Sequence, residues 1–366
     1  MFRGFYMKKI LFLIPSLVGG GAERVMVTLA NNLSNTYEVE ILTLTNTESF
    51  YQVDEPVTVS GIGCTVNKKN SMTKFFTRIK SAGKGFFGIR KAIKSKKPDV
   101  VIAFLNSVSQ PLLLLKTFSR LKCRVIVSER ADPNERGLLS RWFERTFFPK
   151  ADVIVCQSKK ASEFFREKDR KKVVIIPNPI RADAIPPLYT GERKKTIVGI
   201  GRLDEQKNFT LLINAFSKLD SKFSDYKLEI YGAGHMEKAL NKQIEDLGLT
   251  DKACLMGAKK NVMFEIADAS LYVMSSNFEG FPNALVEAMA TGLPVISTDF
   301  PTGVAKEVVK EKNGIVIPMK DEQALIDAIS SLLSDEELRR SMSIENRKIL
   351  NELEEKSVVA LWEKLF

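Results

Sequence analysis

Apolar residues along this chain fall in short, nearly unbroken runs rather than in strict alternation. In the first half they occupy residues 10–14, 39–44, 100–104, 124–127, 153–156 and 173–176. Stretches of helical character, such as residues 22–33, separate most of them. Such runs fit strands buried on both faces, and their alternation with helices predicts a parallel sheet covered on both sides. A second series follows at residues 196–200, 227–231, 253–256, 271–274, 294–297 and 314–317. Between the two series stand Pro177-Asn178-Pro179 and Pro186-Pro187. Proline withholds a backbone donor and interrupts helices, so this stretch reads as a linker. The pattern predicts an α/β protein of two doubly wound, Rossmann-like domains, residues 1–180 and 190–349. Ligands in such folds bind beyond the carboxyl ends of the strands, and two such domains facing each other would make a cleft.

Size and composition agree with that reading. The 366 residues suggest two domains, and 44% hydrophobic content excludes wholesale disorder. The longest apolar runs, residues 10–18 and 112–115, fall short of the ~20 residues of a membrane span. Met7-Lys8-Lys9 ahead of the first run imitates a secretory signal. The glycines that follow make a better strand-to-helix turn than a cleavage site. Cys64, Cys123, Cys156 and Cys254 lie far apart, which suggests neither a zinc site nor a disulfide framework. His235 is the single histidine, so chemistry needing a histidine pair is excluded.

Charge adds a direction. The formal net charge is +11, made of +16 over residues 1–185 and −5 over residues 186–366. From Lys68 to Lys97 there are eleven basic residues and no acid, with Phe75, Phe76, Phe86 and Phe87 among them. Lysines interleaved with aromatic rings suit contact with an anionic membrane surface. Gly83, Gly85 and Gly88 argue against one continuous helix here. Nothing of a zinc finger, an aromatic RNA-binding motif or a helix-turn-helix accompanies the charge, so nucleic acid is not expected as a partner.

Four strand-to-helix turns carry candidate chemistry. Gly19-Gly20-Gly21 follows the first strand, where glycines let backbone approach a ligand and the next helix offers free amides to a phosphate. Gly201, Arg202 and Lys207 follow the strand at 196–200, where two cations can converge on an anion. Gly232 and Gly234 follow the strand at 227–231 and could bring backbone near a nucleotide, with His235 a loop residue. Glu279, Gly280, Phe281, Pro282 and Asn283 lead into a helix that carries Glu287 and stops at Gly292. Two carboxylates around a helix N-terminus can accept hydrogen bonds from a polyol while the free amides hold its phosphate.

Together these motifs resemble the retaining glycosyltransferases of family 4, which have the GT-B fold. The resemblance runs over nearly the whole chain. It rests on the glycine-rich first turn, Gly201-Arg202 with Lys207, the pair Glu279/Glu287 and Pro177-Asn178-Pro179 at the crossover. It implies an N-terminal acceptor domain, a C-terminal nucleotide-sugar domain and a last helix, at about 350–366, crossing back to the first. Arg202 and Lys207 would hold the diphosphate, Glu287 the ribose, and Glu279 the donor sugar. Gly201 and backbone at Gly280, Phe281, Pro282 and Asn283 would lie beside the donor, and Gly20 and Gly21 would close over the diphosphate. Many members have a histidine after the strand at 124–127. This chain has Ser128-Glu129-Arg130 there, similar to a subgroup making bacterial surface polysaccharides, and Glu129 or Arg130 would take over substrate contact.

The resemblance implies transfer of a hexose or N-acetylhexosamine, with a UDP-sugar the favoured donor. The acceptor would be a glycan or a polyprenyl-diphosphate-linked intermediate of O-antigen, capsule or exopolysaccharide. With no Asp-x-Asp motif, no metal and no cofactor are expected. The protein would lie in the cytoplasm, peripheral on the inner face of the membrane. A nucleotide-sugar epimerase on the same fold is the alternative enzyme reading, and a nonenzymatic basic binding protein is a more distant one.

Overall fold

The computed structural model describes residues 6–64, 71–119, 121–130 and 136–366, with backbone alone described for 71–82. The chain divides into two compact units, Met1–Pro179 with Glu355–Phe366, and Ile180–Glu354.

The first unit is built on seven parallel strands. These are β1 (Lys9–Ile14), β2 (Glu38–Thr43), β3 (Thr58–Gly61), β4 (Val100–Phe104), β5 (Arg124–Ser128), β6 (Val153–Cys156) and β7 (Val173–Ile175), in the order β3-β2-β1-β4-β5-β6-β7. Side chains alternate across the pleat: Ile10, Phe12 and Ile14 join one apolar layer, Leu11 and Leu13 the other. Both layers are closed by helices, which is why β4 reads as an uninterrupted apolar run. The connecting helices include α1 (Gly21–Leu33), α2 (Ser71–Lys96), α3 (Asn106–Phe118) and α4 (Leu138–Phe147). The terminal helix Glu355–Glu363 belongs to this unit and packs on α1. Its Trp362 is fully buried, with its ring 5.7 Å from that of Phe104.

The second unit has six parallel strands: β8 (Lys194–Ile200), β9 (Lys227–Tyr231), β10 (Ala253–Gly257), β11 (Ala269–Met274), β12 (Val295–Thr298) and β13 (Gly314–Ile317). Their order is β10-β9-β8-β11-β12-β13. Again two apolar layers flank the sheet.

Two expectations are corrected. Thr58–Gly61 is an edge strand, short and half polar, and so lacks the apolar run that marks the others. The stretch Ser71–Lys96 is one helix despite its three glycines. A Cβ at Gly88 would stand 2.6 Å from Ile62 Cγ2, and one at Gly85 3.5 Å from Leu44 Cδ2. Glycine here lets the helix press against neighbouring chain, with Ile89 and Ile93 buried beneath it. Lys68 and Lys69 lie outside the described residues, and the side chains of Phe75 and Phe76 are likewise not described.

Candidate active site

In the second unit the strand order reverses between β8 and β11. At such a reversal the two following loops part toward opposite faces and leave a crevice beyond the strand ends. Here the loop after β8 (201–208) and the loop after β11 (275–282) are fastened to each other. Ser275 Oγ donates to the Lys207 carbonyl (2.8 Å), the Asn277 amide to the Gln206 carbonyl (2.8 Å), and Asn277 Nδ2 to the Glu205 carbonyl (2.7 Å).

The fastening brings Lys207 onto Glu279. Lys207 Nζ donates to Glu279 Oε1 at 2.6 Å, and Ser276 Oγ donates to the same oxygen at 2.7 Å. Gln206 Nε2 reaches Glu279 Oε2 at 3.3 Å, and its Oε1 accepts from Arg202 Nη2 at 2.9 Å. Arg202, Gln206, Glu279 and Lys207 thus form one connected set. Their exposures differ sharply. The Glu279 side chain is buried and that of Lys207 largely so, whereas that of Arg202 is 72% exposed, with Asp204 Oδ2 3.2 Å away. The exposed guanidinium keeps donors free for an anion, and the ammonium, with three donors, gives one to Glu279.

Close approaches leave little room for a side chain at three glycines around the loop after β8. The Lys207 stem crosses Gly201, where a Cβ would lie 2.6 Å from Lys207 Cε. Gly232, after β9, has φ +154°, and a Cβ there would stand 1.8 Å from the Gly201 carbonyl oxygen. Gly234 is similarly confined, 2.3 Å from the Leu203 carbonyl. His235 is exposed on the loop, 3.1 Å from the Glu205 carboxylate.

The loop after β11 passes through Gly280 and the buried Phe281 and Pro282 into the helix Asn283–Thr291, ended by Gly292 at φ +85°. Glu287 lies half-buried on that helix. Beneath it the Tyr272 hydroxyl is buried and makes no hydrogen bond. Burial first, then the charges of Glu279 and Glu287, hold its pKa well above the ordinary phenol value. Tyr272 therefore stays a neutral phenol within electrostatic reach of both carboxylates.

In the first unit the order reverses between β1 and β4. After β1, Gly19 takes φ +112°, and Gly20 exchanges hydrogen bonds with the Tyr51 hydroxyl (3.2 and 3.0 Å). Gly21 opens α1. The Glu23 carboxylate folds back over Gly20, where a Cβ would lie 2.4 Å from Oε2. After β4, Leu105 has φ 73° and ψ 148°, a region that only glycine occupies without strain.

The end of β5 holds an ionic network. Glu129, 3% exposed, accepts from both terminal nitrogens of Arg136, Nη2 to Oε1 at 2.5 Å and Nη1 to Oε2 at 2.9 Å. Arg136 also pairs with the fully buried Glu144 at 2.5 Å. Burial works against the Arg136 charge, but the two carboxylates outweigh it and hold its pKa above the ordinary value. Arg130 lies with its guanidinium 3.8 Å from the centre of the Phe104 ring and its Nη1 hydrogen-bonded to Asn178 Oδ1. Its Nε and Nη2 are buried and have no hydrogen-bond partner. Burial pushes its pKa down to about 9, so it remains charged at neutral pH.

The sequence-predicted residues therefore fall into three groups. Gly201, Arg202, Lys207, Glu279, Gly280, Phe281, Pro282, Asn283 and Glu287 surround the β8/β11 reversal. Gly20 and Gly21 follow β1, and Glu129 and Arg130 follow β5. Sequence reasoning missed Gln206, Ser276, Arg136 and Glu144. Gln206 stands inside a motif already singled out. Arg136 and Glu144 carry no local signal, because their partners are set by tertiary packing.

Family models match both units: "Glycosyltransferase Family 4" over residues 19–184 and "Glycosyl transferases group 1" over residues 182–349. The chain is 30% identical to a Campylobacter jejuni protein over 98% of each chain. That relative is named GalNAc-alpha-(1->4)-GalNAc-alpha-(1->3)-diNAcBac-PP-undecaprenol alpha-1,4-N-acetyl-D-galactosaminyltransferase. The chain belongs to the family 4 glycosyltransferases.

Another relative of this glycosyltransferase is the amylovoran biosynthesis glycosyltransferase AmsD of Erwinia amylovora, 26% identical over 92% of this chain and 93% of that one. Among solved structures, sucrose-phosphate synthase of Thermosynechococcus elongatus superposes with a TM-score of 0.83 at 16% identity, over 98% of both chains. Anabaena HepE in complex with UDP gives 0.77 at 17% identity, over 97% of this chain and 98% of that one. The glycosyltransferase has the GT-B fold, with two parallel-sheet Rossmann-like units.

Proposed function

We propose that this glycosyltransferase moves a hexose or N-acetylhexosamine, with retention, from a UDP-sugar to a polyprenyl-diphosphate-linked glycan acceptor of a bacterial surface polysaccharide. The observation that carries the reading is the set Arg202–Gln206–Glu279–Lys207 at the β8/β11 reversal. It joins an exposed guanidinium to a buried carboxylate–ammonium pair, one for a diphosphate and the other beside a sugar. The Campylobacter relative's name supplies the acceptor class, and HepE, solved with UDP, supplies the nucleotide.

In this reading the acceptor hydroxyl attacks the anomeric carbon on the face the nucleotide leaves. A carbon–oxygen bond to the acceptor forms as the bond to the β-phosphate oxygen breaks, and that oxygen takes the hydroxyl proton. Arg202, Lys207 and the amides opening helix Asn283–Thr291 would offset charge growing on the diphosphate, without a metal. Glu279, held by Lys207 and Ser276, would orient the donor sugar, and Glu287 the ribose. The basic stretch from Lys68 to Lys97 would meet an anionic leaflet, with the protein peripheral on the inner face of the membrane. Among the described residues no helix is long and apolar enough to cross a membrane.

The test is donor hydrolysis and transfer by purified protein, across UDP-, GDP- and ADP-sugars, with and without chelator. Turnover confined to UDP-sugars and indifferent to chelator is expected. No turnover of any donor sinks the reading; loss in chelator restored by magnesium removes its metal-free part.

A further inference from the structure

Helix α4 carries apolar residues on two sides, with Phe147 packed on the core. Its packed side buries a carboxylate: Glu144 is fully buried, bonded by Arg136 Nη1 (2.5 Å), Ser140 Oγ (2.9 Å) and Asn106 Nδ2. Its outer side presents Leu138, Leu139 and Trp142, exposed by 80%, 85% and 62%. Residues one, three and four apart on a helix put these side chains in one patch. A surface helix normally keeps its outer face polar, and such a patch marks a surface that meets something apolar.

Charge identifies what that is. Arg141 and Arg145 flank the patch on the same helix, Arg141 three residues from Leu138 and Arg145 three from Trp142. Helix α3 packs against both α2 and α4. Across the three helices Ser71–Lys96, Asn106–Phe118 and Leu138–Phe147 there is a single acidic residue, and it is the buried Glu144. Exposed Phe87 and Phe118 lie on α2 and α3. Rings and aliphatic side chains beside arginines, with no carboxylate, fit the boundary between headgroups and acyl chains of an anionic bilayer.

We propose that α4 inserts Leu138, Leu139 and Trp142 into the acyl boundary of an anionic membrane. This rests on the membrane-surface reading above but assigns insertion to a different element from the Lys68–Lys97 stretch, which contributes attraction. It also gives the buried network a purpose. Glu144 on α4 is joined through Arg136 to Glu129, next to Arg130 at the end of β5. An α4 seated in the membrane would hold these two residues at a fixed height above the headgroups.

The experiment uses the full chain and vesicles of phosphatidylcholine with about 30% phosphatidylglycerol. The chain has two tryptophans, and Trp362 is 1% exposed, so a lipid-dependent change in emission reports on Trp142. Wild type is expected to bind, with emission shifting to the blue and quenched by brominated acyl chains. Leu138→Ser/Leu139→Ser/Trp142→Ser should weaken vesicle binding at least about tenfold while donor hydrolysis stays unchanged. Replacing lysines 84, 91, 94, 96 and 97 by glutamine should weaken binding in a salt-sensitive way and leave the blue shift of the bound fraction in place. Vesicle binding with unchanged Trp142 emission, or undiminished in the α4 variant, overturns the proposal while leaving the membrane reading standing. An α4 variant that loses self-association and not vesicle binding assigns the patch to a second copy of the chain and equally overturns it. Wild type that binds no vesicles removes the membrane reading itself.

Discussion

Lys207 Nζ lies 2.6 Å from Glu279 Oε1, with the two side chains 14% and 8% exposed. A pair this withdrawn from water is held by mutual neutralisation, and removing one partner strands the other. Breaking such a pair costs about 3–5 kcal/mol, while replacing both by neutral groups costs much less. Lys207→Met should therefore lower both melting temperature and turnover. Lys207→Met/Glu279→Gln should recover most of the melting temperature and none of the turnover. Recovery of both would show that the pair serves stability alone.

Arg202 gives the contrasting case. Its side chain is 72% exposed, and its contacts are the rim partners Gln206 and Asp204. Arg202→Ala should change stability by no more than about 0.5 kcal/mol. Turnover should fall on the order of 10²–10³-fold, the scale for losing one preorganised donor to a developing charge. Chemical denaturation and steady-state kinetics on the same preparation separate the two. Wild-type turnover would take Arg202 out of the mechanism.

At the far end of β5, Asp152 sets a pH dependence. Burial alone would raise its pKa, but Lys116 Nζ and the Val125 amide, 2.8 and 2.7 Å away, outweigh it and hold the carboxyl below its ordinary 3.8. A depressed folded-state pKa contributes stability above the unfolded value, and that contribution is lost as pH falls through the folded one. Asp152→Asn should melt below wild type at neutral pH, and the gap should close as pH drops below about 3.8. A gap that does not change with pH would show that shape, not charge, matters there.

Twelve of the thirteen strands were legible as short apolar runs, most plainly the inner ones, where a sheet covered on both faces demands apolar residues, as in Val100–Phe104. Thr58–Gly61 was not, since this edge strand has four residues with Thr58 and Ser60 among them and no apolar run. The loops bearing Arg202, Lys207 and Glu279 were legible for a related reason: glycine and charge placed directly after a buried strand stand out. What the residues do to one another was hidden. Nothing in the spacing of Lys207 and Glu279 says that one neutralises the other, because the contact depends on β8 lying beside β11. The pairing of Arg136 with Glu129 and Glu144 was hidden in the same way, and so was the exposed apolar face of α4. In sequence its Leu-Leu-x-x-Trp pattern reads as an ordinary buried stripe, and only the burial of Glu144 reveals which side faces in.

Gly232 tests whether the donor loop depends on its neighbour. At φ +154° its backbone is unfavourable for a side chain, and a Cβ would fall 1.8 Å from the Gly201 carbonyl oxygen. No rotamer change relieves that contact, because both atoms are backbone-bound. Gly232→Ala must therefore push the Gly201–Arg202 segment away from β9, or fail to close the loop. Strain of this kind costs on the order of 1–3 kcal/mol. Gly248 is the control. Its φ is +64°, so alanine is strained there too, but nothing lies within 4 Å of its Cβ and it stands in a turn after the helix Glu237–Asp246. Both variants should lose stability, while only Gly232→Ala should raise the KM for donor, because only it moves the backbone that carries Arg202. Equal KM values in the two variants would mean that the donor loop keeps its position without the close approach of Gly232.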